Sequence, residues 1–230
     1  MSITTPPPEL LRATASSEIY IKSNATRQRF MPILNSNIQK AFSSNGVTAT
    51  VRRHGHHGFE MQSDDLDAAG AAAATVFGLD RIDRMRLLEV PNLDGLAANV
   101  AELCGPEVAG KTFAVRVRRS GDHNWKSKDG ERVIGSALFA HAAGVDLSNP
   151  QVTVRVHVED AKAAVVAHSW QGPGGLPVSS QSPALAMLSG GIDSPVAAWM
   201  MMRRGCAIDM LHFQLECNQA DHALAVGHEL

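Results

Sequence analysis

Hydrophobic spacing divides the chain into segments of different period. Across 26–43, Phe30, Ile33, Leu34, Ile38, Ala41 and Phe42 recur at intervals of three and four, which predicts a helix with one apolar stripe. Asn45-Gly46 supplies its stop. Ahead of it, 18–22 (EIYIK) alternates as a strand would. Behind it, 47–53 and 58–62 read as two strands joined through the turn His54-Gly55-His56-His57. Strand, helix, strand, strand is part of a small α+β domain of ferredoxin-like type.

From Asp67 the composition shifts to DAAGAAAATVFGLDRI, a helix closing near Phe77-Gly78 and the start of a second domain. Val90-Pro91-Asn92 breaks the chain, and 93–104 is a helix with Leu96, Val100 and Leu103 on one side. Residues 113–119 alternate, so Phe113, Val115 and Val117 face a core while Arg116 and Arg118 face outward. A loop over 120–128 follows, with an exposed Trp125 among His123, Lys126 and Lys128. Outward arginines beside lysines and a ring suit RNA, the cations for phosphates and the indole for stacking. Val133, Ile134, Leu138 and Phe139 mark a helix over 131–142, and 152–158 and 163–167 are two further strands. The stretch GPGGLP over 172–177 is a rigid, turn-rich linker to which spacing alone assigns no role.

The last segment carries the chemistry. An apolar run, 184–188, has the length of a buried parallel strand, and the loop Ser189-Gly190-Gly191-Ile192-Asp193-Ser194 follows it. Ser194 fits an N-cap and Pro195 the first helical position of a helix that runs to Arg204 and stops at Gly205; 207–213 is the next strand. Two glycines let backbone N–H groups approach an anion, and the helix start adds its partial positive charge. The unit is therefore a βαβ phosphate cradle. It has neither the lysine of G-x-x-x-x-G-K-[ST] nor the spacing of G-x-G-x-x-G.

Composition narrows the class. The 230 residues suffice for more than one small domain, and 44% hydrophobic with 19% charged residues is the balance of a globular protein. No apolar run reaches membrane-spanning length, and the N-terminus MSITTPPPELLRA lacks the basic and apolar regions of a secretory signal, so a cytoplasmic protein without membrane partners is expected. At a formal charge of −2, nucleic acid must be met by local basic patches. Three cysteines (Cys104, Cys206, Cys217) without C-x-x-C spacing, and His54, His56 and His57 without spaced carboxylate or thiol partners, predict neither a disulfide scaffold nor a metal site.

Four separated stretches carry a family resemblance. SEIYIKSNATRQRF resembles an N-terminal (G)EIYIKSxxTRxRF segment, FAVRVRRSGDHNW with the helix after it a THUMP domain, QGPGGLPV a family linker, and LSGGIDSPVAAWMMMRRG the PP-loop of ATP pyrophosphatases, which split ATP between its α and β phosphates. Together they resemble the tRNA 4-thiouridine synthetases, the ThiI family. The implied fold is α+β ferredoxin-like and THUMP domains followed by the first βαβα part of an α/β PP-loop domain, divided at 1–66, 67–170 and 171–230.

The implied activity is that of a tRNA uracil 4-sulfurtransferase, with ATP and Mg2+ as cofactors. It adenylates O4 of a uridine in the position 8 region of tRNA, takes sulfur as persulfide from a cysteine desulfurase, and is linked to thiamine (thiazole) biosynthesis as a sulfur carrier. Carried over by position, Ser189, Gly190, Gly191, Asp193 and Ser194 form the pyrophosphate loop, and Met187, Leu188, His212 and Phe213 contact the nucleotide. Asp193 is the catalytic candidate, a hard oxygen donor able to help hold magnesium or orient phosphate. Arg116, Arg118 and Lys126 are the RNA-binding candidates, and a homodimer is possible. The resemblance places the sulfur-carrying cysteines beyond Leu230 and the PP-loop domain's remaining strands with them. The alternative is a tRNA-binding module whose PP-loop segment is inactive.

Overall fold

The computed structural model describes residues 7–55, 58–90, 92–189, 191–213 and 220–229. Its elements run β1 (Glu9–Ala15), α1 (Ser17–Tyr20), α2 (Asn24–Ser44), β2 (Ala49–His54), β3 (Gly58–Ser63), α3 (Leu66–Ala73), β4 (Leu79–Glu89), α4 (Leu93–Val108), β5 (Thr112–Ser120), α5 (Ser127–Phe139), β6 (Gly144–Val145), β7 (Val152–Glu159), β8 (Lys162–Gln171), β9 (Ala184–Met187), α6 (Asp193–Arg203), β10 (Ile208–Leu211) and α7 (Ala220–Glu229). The chain forms two compact units, one of Leu11–Ile82 with Trp170–Leu230, the other of Asp83–Ser169 with the segment ending at Leu10. Their boundary falls inside β1, β4 and β8.

In the first unit the strands lie in the order β2-β3-β1-β4, with β1 and β2 both antiparallel to β3. With α2 and α3 this is the ferredoxin-like arrangement. Its core joins Leu11 and Ala13 of β1, Phe59 and Met61 of β3, and Phe30, Leu34 and Ile38 of α2. The helical stripe of α2 is as its spacing predicts. Ser23 caps the helix by accepting from Thr26 N–H (3.3 Å), and Gly46, at φ +67°, takes the left-handed conformation past its end.

The alternating stretch 18–22 is not a strand. A strand would put Ile19 and Ile21 on one face, but Ile19 is fully buried and Ile21 is 80% exposed. Ser16 Oγ instead accepts from Glu18 N–H (3.3 Å) and starts the single turn α1, so a local cap overrides a short alternation. The alanine-rich helix ends at Ala73 rather than near Gly78, and the strand β4 begins at Leu79 after the turn over 74–78.

In the second unit the order is β4-β8-β7-β5-β6, with β5 parallel to β7 and β6 and with β7 antiparallel to β8. Helices α4 and α5 pack on the inward residues Phe113, Val115, Val117, Val154 and Val156. Asn92 caps α4 by accepting from Gly95 N–H (2.7 Å); Pro91 lies outside the described residues. Helix α5 starts at Ser127, four residues before its predicted start, because Asp129 reaches back to the Lys126 N–H (2.9 Å). Trp125 is not exposed as predicted. It is half-buried against this core, and a Cβ on Gly130 would meet its ring at 2.8 Å.

Strands β9 and β10 pair in parallel, Ala184 with Ile208 and Met187 with Leu211, and α6 connects them. This is the predicted βαβ unit. The helix begins two residues earlier than predicted, at Asp193, with Ile192 at the cap position and no side-chain cap. Pro195 thus sits third in the first turn, where its missing N–H still costs no helical bond.

Candidate functional site

The loop after β9 leaves the carboxyl end of a parallel strand, where open α/β sheets place their ligands. Leu188, only 6% exposed, donates its N–H to the Leu211 carbonyl (2.8 Å), and its own carbonyl lies 2.8 Å from His212 Nδ1. A carbonyl only accepts, so Nδ1 carries a proton and donates. Among the described residues His212 Nε2 is enclosed and has no hydrogen-bond partner. His212 therefore ties the ends of β9 and β10 together at the mouth of the loop.

Within the loop, Ser194 Oγ does not cap α6. It accepts from Ser189 N–H (3.0 Å) and lies 3.1 Å from Ser189 Oγ, while Gly191 N–H points to Ser189 Oγ at 3.4 Å. The two serines brace the turn across its base. Among the described residues a Cβ on Gly191 would meet only Ser189 Oγ, at 3.7 Å, so no packing by them demands the glycine. The space beside it is open to an anion approaching the backbone. Asp193 is exposed in the first turn of α6. The structure thus gathers Leu188, Ser189, Gly191, Asp193, Ser194 and His212 at one end of β9 and β10. Met187 and Phe213 flank them, 65% and 68% exposed, and Gly190 lies outside the described residues.

A basic face lies in the second unit. Arg116 and Arg118 are exposed on the side of β5 opposite α5, and the parallel register sets Arg155 and His157 of β7 beside them. Arg116 Nη2 donates to the Leu147 carbonyl (2.7 Å). That turn is ordered by Asp146, whose Oδ1 accepts from Ser148 and Asn149 N–H at 3.0 and 2.9 Å, amide bonds that hold its carboxyl below the usual range. Arg155 is aimed by Ser169 Oγ (3.0 Å), which donates in turn to the buried Asp83 (2.5 Å). The alternation VTVRVHV carried the signal for Arg155 and His157, but only the register shows that they continue the Arg116 and Arg118 row. Lys126 is exposed at the start of α5.

Cys104 and Cys206 are buried free thiols, and burial, with Glu107's charge, pushes Cys104 up to about 12. His54 Nδ1 faces Glu60 at 3.2 Å, while His56, His57 and Cys217 lie outside the described residues. Among the described residues no group of three or more His, Cys, Asp or Glu side chains could hold a metal ion, and no helix is long and apolar enough to cross a membrane.

Comparison with known proteins agrees with these features. The family described as Thiamine biosynthesis protein (ThiI) matches residues 179–230, and the THUMP domain matches 90–167. The "tRNA sulfurtransferase" of Desulfurococcus amylolyticus is 36% identical over 220 residues, covering 94% of this chain and 45% of the relative. The "Probable tRNA sulfurtransferase" of Aeropyrum pernix is 39% identical over 207 residues, covering 89% and 52%. Among solved structures, a 4-thiouridine synthetase–RNA complex with bound ATP superposes with TM-score 0.74 at 21% identity, over 95% of this chain and 57% of that one.

A ferredoxin-like domain and a THUMP domain, followed by a PP-loop-type βαβ unit, define the class of protein. The chain is similar to the ThiI family, through residues 179–230, and to relatives called tRNA sulfurtransferases. It spans about half the length of the curated relatives it matches.

Proposed function

We propose that this chain serves an ATP-dependent tRNA uracil 4-sulfurtransferase, holding ATP at its SGGIDS loop and tRNA on its THUMP domain. The observation that carries the reading is a braced, glycine-lined loop at the carboxyl ends of two parallel strands, in one chain with a THUMP domain and with relatives called tRNA sulfurtransferases. ATP supplies the activation: adenylation of O4 of a uridine in the position 8 region turns a carbonyl oxygen into a leaving group, which sulfur displaces as AMP.

This chain's residues act around that event. The loop of Ser189, Gly190, Gly191, Asp193 and Ser194, through its glycine backbone and the start of α6, holds the phosphates. Asp193 orients them or a magnesium ion, while Met187, Leu188, His212 and Phe213 frame the nucleoside. Arg116, Arg118 and Lys126 track tRNA phosphates. Sulfur arrives as persulfide from a cysteine desulfurase, and neither buried thiol among the described residues is placed to receive it. A cytoplasmic setting, a possible homodimer, a sulfur-carrier link to thiamine biosynthesis and the three-part division 1–66, 67–170 and 171–230 belong to the same reading.

The test is paired binding by the whole chain. ATP binding should weaken at least about tenfold in Gly191→Val, which fills the anion's space. tRNA affinity should fall steeply with salt and stay within about twofold in that variant. Salt-dependent tRNA binding with no ATP binding by the parent chain would select the alternative, an RNA-binding module with an inactive loop. Loss of both refutes the assignment.

A further inference from the structure

The GPGG linker has a structural logic that its spacing did not reveal. On one side it is laced to the start of β4 in the ferredoxin-like domain. Gly172 N–H donates to the Asp80 carbonyl (3.0 Å), Gly174 N–H to the Leu79 carbonyl (2.9 Å), and Gly78 N–H returns a bond to the Gly174 carbonyl (2.8 Å). On the other side it grips the end of α6. Leu176 N–H donates to the Arg203 carbonyl (2.9 Å), one of the helix's last acceptors, and Arg203 Nε donates to the Pro173 carbonyl (3.0 Å).

The glycines are needed at both faces. A Cβ on Gly172 would strike the Leu79 carbonyl, and one on Gly175, at φ +75°, would strike the Arg203 carbonyl. The grip extends along the helix. The Arg203 guanidinium lies 5.9 Å from the Trp199 ring centroid, and Trp199 packs edge-on against Phe77 at 5.4 Å. Arg204 pairs with Glu18 of α1 (2.7 Å).

We propose that this linker and Arg203 form a clamp that fixes the C-terminal end of α6 on the ferredoxin-like domain and so aims the anion-binding loop at the helix's other end. Arg203 is a positioning residue, acting through α6 and not by touching the nucleotide. The helix is a rod of 11 residues, about 16 Å long at 1.5 Å per residue. A tilt of about 4° at the clamp would move its far end by about 1 Å, a displacement of the size that costs on the order of a hundredfold at a reacting centre. The nucleotide consequence rests on the function proposed above; the clamp itself does not.

Hydrogen exchange and ligand binding, measured on the whole chain, separate the two. In Gly175→Ala, exchange of the α6 amides should quicken at least about tenfold while that of α2 is unchanged. ATP affinity should drop at least about tenfold while tRNA affinity stays within about twofold. Arg203→Ala, which leaves the backbone fit intact and keeps the test available should Gly175→Ala fail to fold, should show a smaller change of the same kind. Arg203→Lys, which keeps a donor and a cation near Trp199, should recover part of it. Exchange of α6 within about twofold of the parent in Arg203→Ala and in any folded Gly175→Ala overturns the clamp, whether or not the parent binds ATP. Faster α6 exchange with unchanged ATP affinity overturns the positioning role. A parent chain that binds no ATP refutes the function above, and the exchange result alone then decides the clamp.

Discussion

Replacing Gly70 with alanine sets two opposed effects against each other at one atom. Gly70 is buried in α3, and an added methyl should favour the helix by about 1 kcal/mol through backbone entropy. The methyl, however, would sit 2.6 Å from two ring carbons of Trp170 and 2.8 Å from a third, where ordinary contact begins at 3.4 Å. Trp170 belongs to β8 and packs on the same core as α3, so its ring retreats only by disturbing that packing. Overpacking of this kind costs about 1–3 kcal/mol.

Set against the propensity gain, the steric cost should leave Gly70→Ala destabilised by about 1 kcal/mol. For a chain of this size that is about 4 °C in melting temperature. The assay is thermal and urea unfolding of four proteins: parent, Gly70→Ala, Trp170→Phe and the double variant. Trp170→Phe takes away the benzo ring carbons in question, so the double variant should recover a coupling of at least about 1 kcal/mol. A Gly70→Ala protein more stable than the parent, or a double variant that is merely additive, would refute the reasoning, because propensity alone would then govern the site.

Two further predictions rest on the second unit. Glu9 takes Arg84 Nε at 2.7 Å and Arg86 Nε at 3.0 Å, all three side chains being less than a third exposed. Glu9→Gln should leave two partly buried guanidinium groups short of charge and lower stability by about 1.5 kcal/mol, seen as a lower denaturant midpoint at unchanged slope. Burial first, then the charge of Glu107, pushes the Cys104 thiol from 9.0 up to about 12. The unfolded chain releases this proton first, so the contribution is intact below pH 9.0 and is lost as pH rises from there toward 12. Cys104→Ala should therefore lose less stability than the parent between neutral pH and pH 10, and native Cys104 should resist iodoacetamide at about pH 8 until urea is added.

Local chemistry settled much of this protein. The period of α2, the alternation of β5 and β7, and the order strand, glycine loop, helix, strand around Ser189 are properties of short windows, because each depends on which side chains share a face and which residues leave the backbone free. The loop's residue types likewise suit an anion, since glycines and a helix start need no distant partner for that.

Tertiary structure decided what depends on distant partners. The stretch 18–22 satisfies strand and helix patterns alike, and burial of Ile19 alone, with Ser16 as cap, selects the turn. Strand β4 was hidden by six charges, several of which find partners only after folding, as Arg84 and Arg86 do in Glu9. Arg155 joins Arg116 only through the β5–β7 register, and His212 finds its partner for Nδ1, the Leu188 carbonyl, only where β9 and β10 pair. The meaning of GPGG lay furthest from reach, because a glycine needed for close approach is explained by the atom that approaches. For Gly172 and Gly175 those atoms are the carbonyl oxygens of Leu79 and Arg203, brought there by the fold.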